Sequence, residues 1–231
     1  MKYLLDTADL EAIRFCSESF PISGVSTNPS IVRTSFAKLK EKPDFFAHMN
    51  AIRTVIGREK AFHIQVTAPD ADGMLRDADA ILNRVDEQVC IKIPVTMEGL
   101  RAMQALKKQG VTVTATAVYG KTQAFLALEA GADYIAPYYN RMESMGLDSD
   151  GVIAAIAQMI GEYEYPTEIL AASFKNAGQI ERAFEAGAQS ATMDPSILLA
   201  ALKQPYILDA VEAFQSDWKS VFGDATAAEL D

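Results

Sequence analysis

Short runs rich in valine, isoleucine and other apolar residues alternate along this chain with longer stretches whose apolar positions recur every three or four residues. The short runs predict buried strands and the longer stretches amphipathic helices. Strands are expected at 2–5, 24–26, 61–66, 89–93, 112–116, 134–137, 168–171 and 190–192. Helices are expected at 8–20, 30–56 with a break near Pro43, 70–85, 98–109, 122–130, 149–163, 176–186 and 195–202, followed by an amphipathic segment at 208–222. Gly110, Gly131 and Gly187 each stand between a helical pattern and the next strand, where a helix C-cap belongs. Eight strand–helix units with right-handed crossovers close naturally into a parallel barrel. The expectation is an α/β fold, a single (β/α)8 TIM barrel over 1–231 with an extra C-terminal helix within 208–231. A doubly wound sheet is the alternative, but no GxGxxG follows the first strand.

Within this pattern the run Val89-Cys90-Ile91-Lys92-Ile93-Pro94-Val95 is unusual, because it places one lysine in an otherwise uncharged strand. Alternation puts Cys90 and Lys92 on one side and Ile91 and Ile93 on the other. One reading has Lys92 at a strand end, its stem snorkelling to water. The other has an amine held away from water, able to give up its proton and attack a carbonyl. A barrel decides between them by its mouth, since active groups come from the C-terminal ends of several strands. Taken in phase with an inward Lys92, the strand ends carry Asp6, Ser26 with Asn28, Gln65, Thr116, Tyr138 and Ser173. His63, Thr114 and Tyr134 share the same inward phase deeper in the strands. A purely structural barrel has little reason for so many polar groups at its mouth, which shifts the balance for Lys92 towards chemistry.

Composition narrows the ligand. The chain has 231 residues and a formal net charge of −10, which disfavours nucleic acid or an anionic membrane surface as partner. An anionic substrate then needs a local cationic pocket. The two cysteines, Cys16 and Cys90, have neither CxxC spacing nor clustered histidines, so neither a disulfide framework nor a metal site is expected. Asp6 and Asp9 interrupt any apolar leader at the N-terminus, and no apolar run is long enough to span a bilayer, so a cytoplasmic location is expected.

The stretches LDTAD at 5–9, GVSTNPS at 24–30, KIPVTMEGL at 92–100, TATAVYG at 114–120, YIAPYYNR at 134–141 and LAASFK at 170–175 together resemble the transaldolase family, in its short fructose-6-phosphate aldolase-like branch. The resemblance implies a class I aldolase barrel in which Lys92 forms a Schiff base with a ketose, with no metal or other cofactor. It further implies a sugar phosphate as substrate. The implied reaction is cleavage or formation of fructose 6-phosphate from dihydroxyacetone and glyceraldehyde 3-phosphate. Transfer of the dihydroxyacetone unit between sugar phosphates is the alternative, and a non-catalytic sugar-phosphate-binding barrel a distant one. The family's transaldolases present a glutamate at the third strand and a phenylalanine after the sixth, where this chain has Gln65 and Tyr138, as in the aldolase branch.

On the same resemblance, Tyr138 relays protons through a water held by Gln65 and Thr116, and Asp6 assists proton movement at the cleaved bond. Asn28 and Ser26 meet the dihydroxyacetone portion, while Arg141 and Ser173, with Lys175, grip the phosphate. The residues alone leave other readings open: an interior aromatic for Tyr138, a helix N-terminal carboxylate for Asp6 and a turn residue for Asn28 before Pro29. Ser26 departs from the branch's usual threonine, and 142–148 has no match, although it should lie over the mouth. His63 reads as a satisfied core histidine. Val211, Phe214, Trp218 and Phe222 lie at helical spacing and leave an apolar face for a partner. The resemblance implies a homo-oligomer, a pentamer or decamer.

Overall fold

The computed structural model describes residues 1–37 and 44–230. Strands and helices alternate along the chain. The first half runs β1 (Lys2–Asp6), α1 (Leu10–Ser19), β2 (Ile22–Ser26), α2 (Pro29–Phe36), α3 (Phe45–Ile56), β3 (Ala61–Gln65), α4 (Ala71–Arg84), β4 (Cys90–Pro94) and α5 (Met97–Lys108). The second half runs β5 (Val113–Val118), α6 (Lys121–Glu129), β6 (Tyr134–Pro137), α7 (Tyr139–Ser144), α8 (Ser149–Glu162), β7 (Glu168–Ala171), α9 (Ala177–Glu185) and β8 (Ser190–Met193). All neighbouring strands pair in parallel, and β8 returns to β1, so the sheet is a closed eight-stranded barrel in sequence order. The (β/α)8 expectation holds.

The helices begin where the turn chemistry tells them to. Asp9, Asn28, Asp44, Asp70, Thr96, Asp148 and Asn176 are N-caps whose side-chain oxygens accept from first-turn amides. Outward strand residues such as Phe62, Ile64, Ile91 and Ile93 are buried, as are helix residues including Ile13, Ile52, Ile81 and Met103. Each such side chain contributes roughly 1.5–3 kcal/mol by leaving water. Gly187 shows why a glycine must separate α9 from β8. Its φ is 105°, and a side chain there would start 2.7 Å from the Ala157 Cβ.

The expected 30–56 helix is two helices, α2 and α3; the expected break at Pro43 lies outside the described residues. The short helix α7 was not expected. It ends in a glycine turn at Gly146, with φ 72°, whose amide donates to the Glu143 carbonyl. Residues 142–148 are therefore the end of α7, its C-terminal turn and the Asp148 cap of α8.

Opposite the mouth, Arg53 on α3 is buried with Asp86, its Nε 3.0 Å from Oδ2, and its Nη1 donates to the carbonyls of Gly57 and Lys60 at 2.8 and 2.9 Å. Leaving either charge unpaired would cost about 3–5 kcal/mol, so this pair locks the start of β3 to the turn before β4.

The barrel, with its helices through Pro195, forms one compact unit, and 196–231 a second. The second unit carries most of α10 (Pro195–Leu202), α11 (Pro205–Phe222) and a 3-10 turn at Ala227–Glu229. α11 starts a turn before the expected 208 because Pro205 fits the first helical position. Within this unit the Trp218 Nε1 donates to the Ala225 carbonyl at 2.7 Å, and the rings of Trp218 and Phe222 meet at a tilt of 40° with centroids 4.6 Å apart. Among the described residues no helix is long and apolar enough to cross a membrane.

Candidate active site

Register sets Lys92 between two polar neighbours, with Gln65 beside it on β3 and Thr114 on β5. The side chain does not reach water: the residue is 1% exposed. Instead it crosses the barrel interior to β2, where Nζ donates to the Ser26 hydroxyl at 3.1 Å and the Thr27 carbonyl at 3.3 Å. The Ser26 hydroxyl donates in turn to Asp6 Oδ1 at 3.2 Å. Amine, hydroxyl and carboxylate thus form one chain over β4, β2 and β1, and the snorkelling reading of Lys92 fails. Asp6 is not a helix cap either, because Asp9 fills that role. Burial pushes the Asp6 carboxyl above the usual range, with Asp194 adding to the push and the Lys92 charge and Ser26 hydroxyl pulling it back. Thr27 and Asp194 were not singled out in the sequence.

Deeper in the barrel lies His63, fully buried. Its Nδ1 bonds the Thr114 hydroxyl at 2.8 Å and its ring meets Tyr134 edge-on at 4.9 Å, but Nε2 has no partner. It is therefore only half satisfied. Burial, helped by the Lys92 charge, lowers its pKa to about 3. A folded value below the unfolded 6.5 favours the neutral ring, so the contribution to stability is present above 6.5 and is lost as pH falls towards about 3. The loss runs at about 1.4 kcal/mol per pH unit. Asp6, with a raised value, acts with the opposite sign: its contribution is present below its ordinary value of 3.8 and is lost as pH rises through the raised one. Denaturant unfolding of the native chain and of His63→Phe at pH 7, 5 and 4 isolates the histidine term. The native chain should lose stability more steeply, and parallel slopes would remove the assignment.

Thr116 and Tyr138 face each other across the β5–β6 seam, their hydroxyls 3.0 Å apart. The β5 strand bulges just beyond Thr116: the β5–β6 register slips between Ala115 and Val118, and Ala117 sits at φ 57°, strained for an alanine. Ser173 is held at φ 65° on the neighbouring loop. Both strained residues stand at the mouth. Gln65 has its Oε1 buried without a protein partner, beside Lys92 in register. Such an orphaned acceptor suits an ordered water.

Arg141, on α7, is exposed, with its guanidinium carbon 5.2 Å from the Tyr138 ring centre and its Nη1 donating to the Tyr119 hydroxyl at 3.2 Å. Tyr119, also edge-on to Tyr138 at 5.6 Å, was missed in the sequence although it stands in the TATAVYG stretch. The backbone ties Arg141 to Ser173, because the Asn140 amide donates to the Ser173 carbonyl at 3.0 Å. Lys175 is exposed. Asn28 uses its Oδ1 to cap α2 at Ile31, 3.0 Å away, which leaves its amide N–H groups for a ligand. The turn reading and the binding reading of Asn28 are compatible. The 142–148 stretch is tied to α9 through Glu143, which accepts from Gln179 and Arg182. Among the described residues no group of three or more histidine, cysteine or acidic side chains is placed to hold a metal ion.

The sequence model of the family described as transaldolase/fructose-6-phosphate aldolase matches residues 3–230. A protein of Streptococcus pneumoniae named probable fructose-6-phosphate aldolase is 44% identical over 218 residues, covering 94% of this chain and 96% of that protein. A protein of a Chelativorans species named probable transaldolase is 38% identical over 218 residues, with the same two coverages.

Proposed function

We propose that this chain, which belongs to the transaldolase/fructose-6-phosphate aldolase family, is a Schiff-base aldolase acting on fructose 6-phosphate through Lys92. The observation that carries the reading is the lysine itself: a buried amine bonded to Ser26 and, through it, to Asp6. An amine held this way, away from water, is oriented towards a ketone entering the mouth. Nζ adds to the C2 carbonyl of the ketose, and the carbinolamine loses water to leave a protonated imine. The imine draws the electron pair of the C3–C4 bond, while Asp6 takes the C4 hydroxyl proton, and glyceraldehyde 3-phosphate departs. Its raised affinity for protons suits Asp6 to that task. The enamine left on Lys92 takes a proton at C3 from a water between Tyr138, Thr116 and Gln65, and hydrolysis then releases dihydroxyacetone.

Asn28 and Ser26 meet the hydroxyls of the dihydroxyacetone part. Arg141 and Ser173, with Lys175, take the phosphate and supply the local positive charge that a chain of net charge −10 otherwise lacks. A second reading, transfer of the dihydroxyacetone unit to another aldose phosphate, is favoured by the relative named probable transaldolase. Gln65 and Tyr138 favour release over transfer, because a phenol beside a water can discharge the enamine before a second aldose arrives. The test supplies fructose 6-phosphate with and without erythrose 4-phosphate. Dihydroxyacetone released without acceptor supports the aldolase; glyceraldehyde 3-phosphate formed only with acceptor contradicts it.

We also propose a homo-oligomer, a pentamer or decamer, assembled through α11. Within its own unit α11 buries none of its residues, and its apolar positions Val211, Phe214, Trp218 and Phe222 recur at helical spacing. A scattering mass equal to the 25.1 kDa chain would contradict this.

A further inference from the structure

We infer that Gln179 is a positioning residue for the phosphate end of the substrate, clamping α7, which carries Arg141, to the loop that carries Ser173 and Lys175. The inference rests on the aldolase reading above, in which those three residues grip phosphate. Gln179 lies in the first turn of α9 and is 3% exposed. Its side-chain amide is used on both sides. Oε1 accepts from the Lys175 amide at 2.7 Å, and Nε2 donates to Asn140 Oδ1 at 3.0 Å and to Glu143 Oε2.

The partners explain why this is a clamp rather than ordinary packing. Asn140 precedes Arg141 in the chain, and its own amide donates to the Ser173 carbonyl. Lys175 is held directly, through its backbone. One buried side chain therefore fixes the residue before Arg141, the loop holding Ser173 and the backbone of Lys175, none of which lies in α9. Glu143 adds a second tie, since it also accepts from Arg182 at 3.0 Å, and Arg182 Nε donates to the Tyr139 hydroxyl at 3.0 Å. Arg141 and Lys175 are exposed and long, so their aim depends on backbone held from below. A displacement of even 1 Å at a positioning contact is enough to cost a large factor. The exposed cations touch the ligand and Gln179 does not.

The clamp predicts a selective defect. With dihydroxyacetone as donor, Gln179→Leu should raise KM for glyceraldehyde 3-phosphate by about tenfold or more, with kcat within about twofold. KM for unphosphorylated glyceraldehyde should stay unchanged, and a role in folding alone would not distinguish the two acceptors. Asn140→Ser, which breaks the far end of the clamp, should show the same selectivity and serves if Gln179→Leu does not fold. Arg141→Ala run in parallel separates the two levels of the claim. If Arg141→Ala fails to weaken the phosphorylated acceptor selectively, the phosphate assignment itself falls. If Arg141→Ala is selective while neither clamp variant is, only the role of Gln179 is overturned.

Discussion

Lys92→Met should lower kcat/KM for fructose 6-phosphate cleavage by about four orders of magnitude or more, because on the proposed mechanism Lys92 forms the covalent intermediate, and should raise the melting temperature. The two effects have one cause. Lys92 is among the largest fully buried side chains of the barrel, and burying an amine is costly unless its hydrogen bonds are complete. Here Nζ has two bonds, both longer than 3 Å, to neutral oxygens. Methionine has nearly the same length and fills the same space without a polar atom to satisfy. Asp6, whose carboxyl burial already pushes up, takes a proton once the lysine charge that pulled it back is gone, so both charges leave the interior together. Replacing a buried charge pair in this way is neutral or stabilising by about 1–4 kcal/mol, or a few degrees or more in a chain of this length. A kinetic loss with a thermal gain marks a side chain kept for chemistry at the expense of the fold. A melting temperature that falls with activity would mean instead that Lys92 holds the barrel together.

Tyr138→Phe should slow release of dihydroxyacetone by about a hundredfold or more while slowing cleavage less. The ratio of transfer to release should therefore rise when erythrose 4-phosphate is present. The ring keeps its edge contact with Tyr119 and its place under Arg141, so the substitution removes little beyond the hydroxyl. What is lost is the bond to Thr116 and with it, on the proposed mechanism, one anchor of the water that protonates the enamine. The stability cost is that of one hydrogen bond, about 1 kcal/mol. An unchanged ratio of transfer to release would remove Tyr138 from the fate of the enamine and leave it an interior aromatic.

The barrel was legible because its physics is local and repeated. Apolar runs closed by turn residues mark strands, and seven of the helices carry a side-chain cap that can be read from sequence. The inward phase of Lys92 placed Ser26, Gln65, His63 and Thr114 correctly, since alternation in a buried strand leaves no freedom. Boundaries moved by one or two residues at most strands, and β5 ran on to Val118 through a bulge that composition does not signal.

The remainder depended on contacts between distant segments. Gln179 follows Asn176 by three residues and reads as a capping-box glutamine, yet its side chain reaches Lys175 on one side and Asn140 on the other. Arg53 stands between Ile52 and Ile56 on the apolar face of α3, a placement that could have marked it as buried, but its partner Asp86 is thirty-three positions away. The orphaned Nε2 of His63 was invisible for the same reason, because satisfaction of a buried ring is decided by whatever faces it across the barrel.

Reduction with borohydride in the presence of fructose 6-phosphate, followed by peptide mass analysis, shows which lysine forms the Schiff base. An imine on Lys92 would be fixed as a stable secondary amine, adding the mass of the reduced dihydroxyacetone or ketose unit to the peptide that carries Lys92 and to no other. The expected result is that single adduct, absent without sugar and absent in Lys92→Met. An adduct on a different lysine, or none with an active preparation, would rule out Lys92 as the Schiff-base lysine.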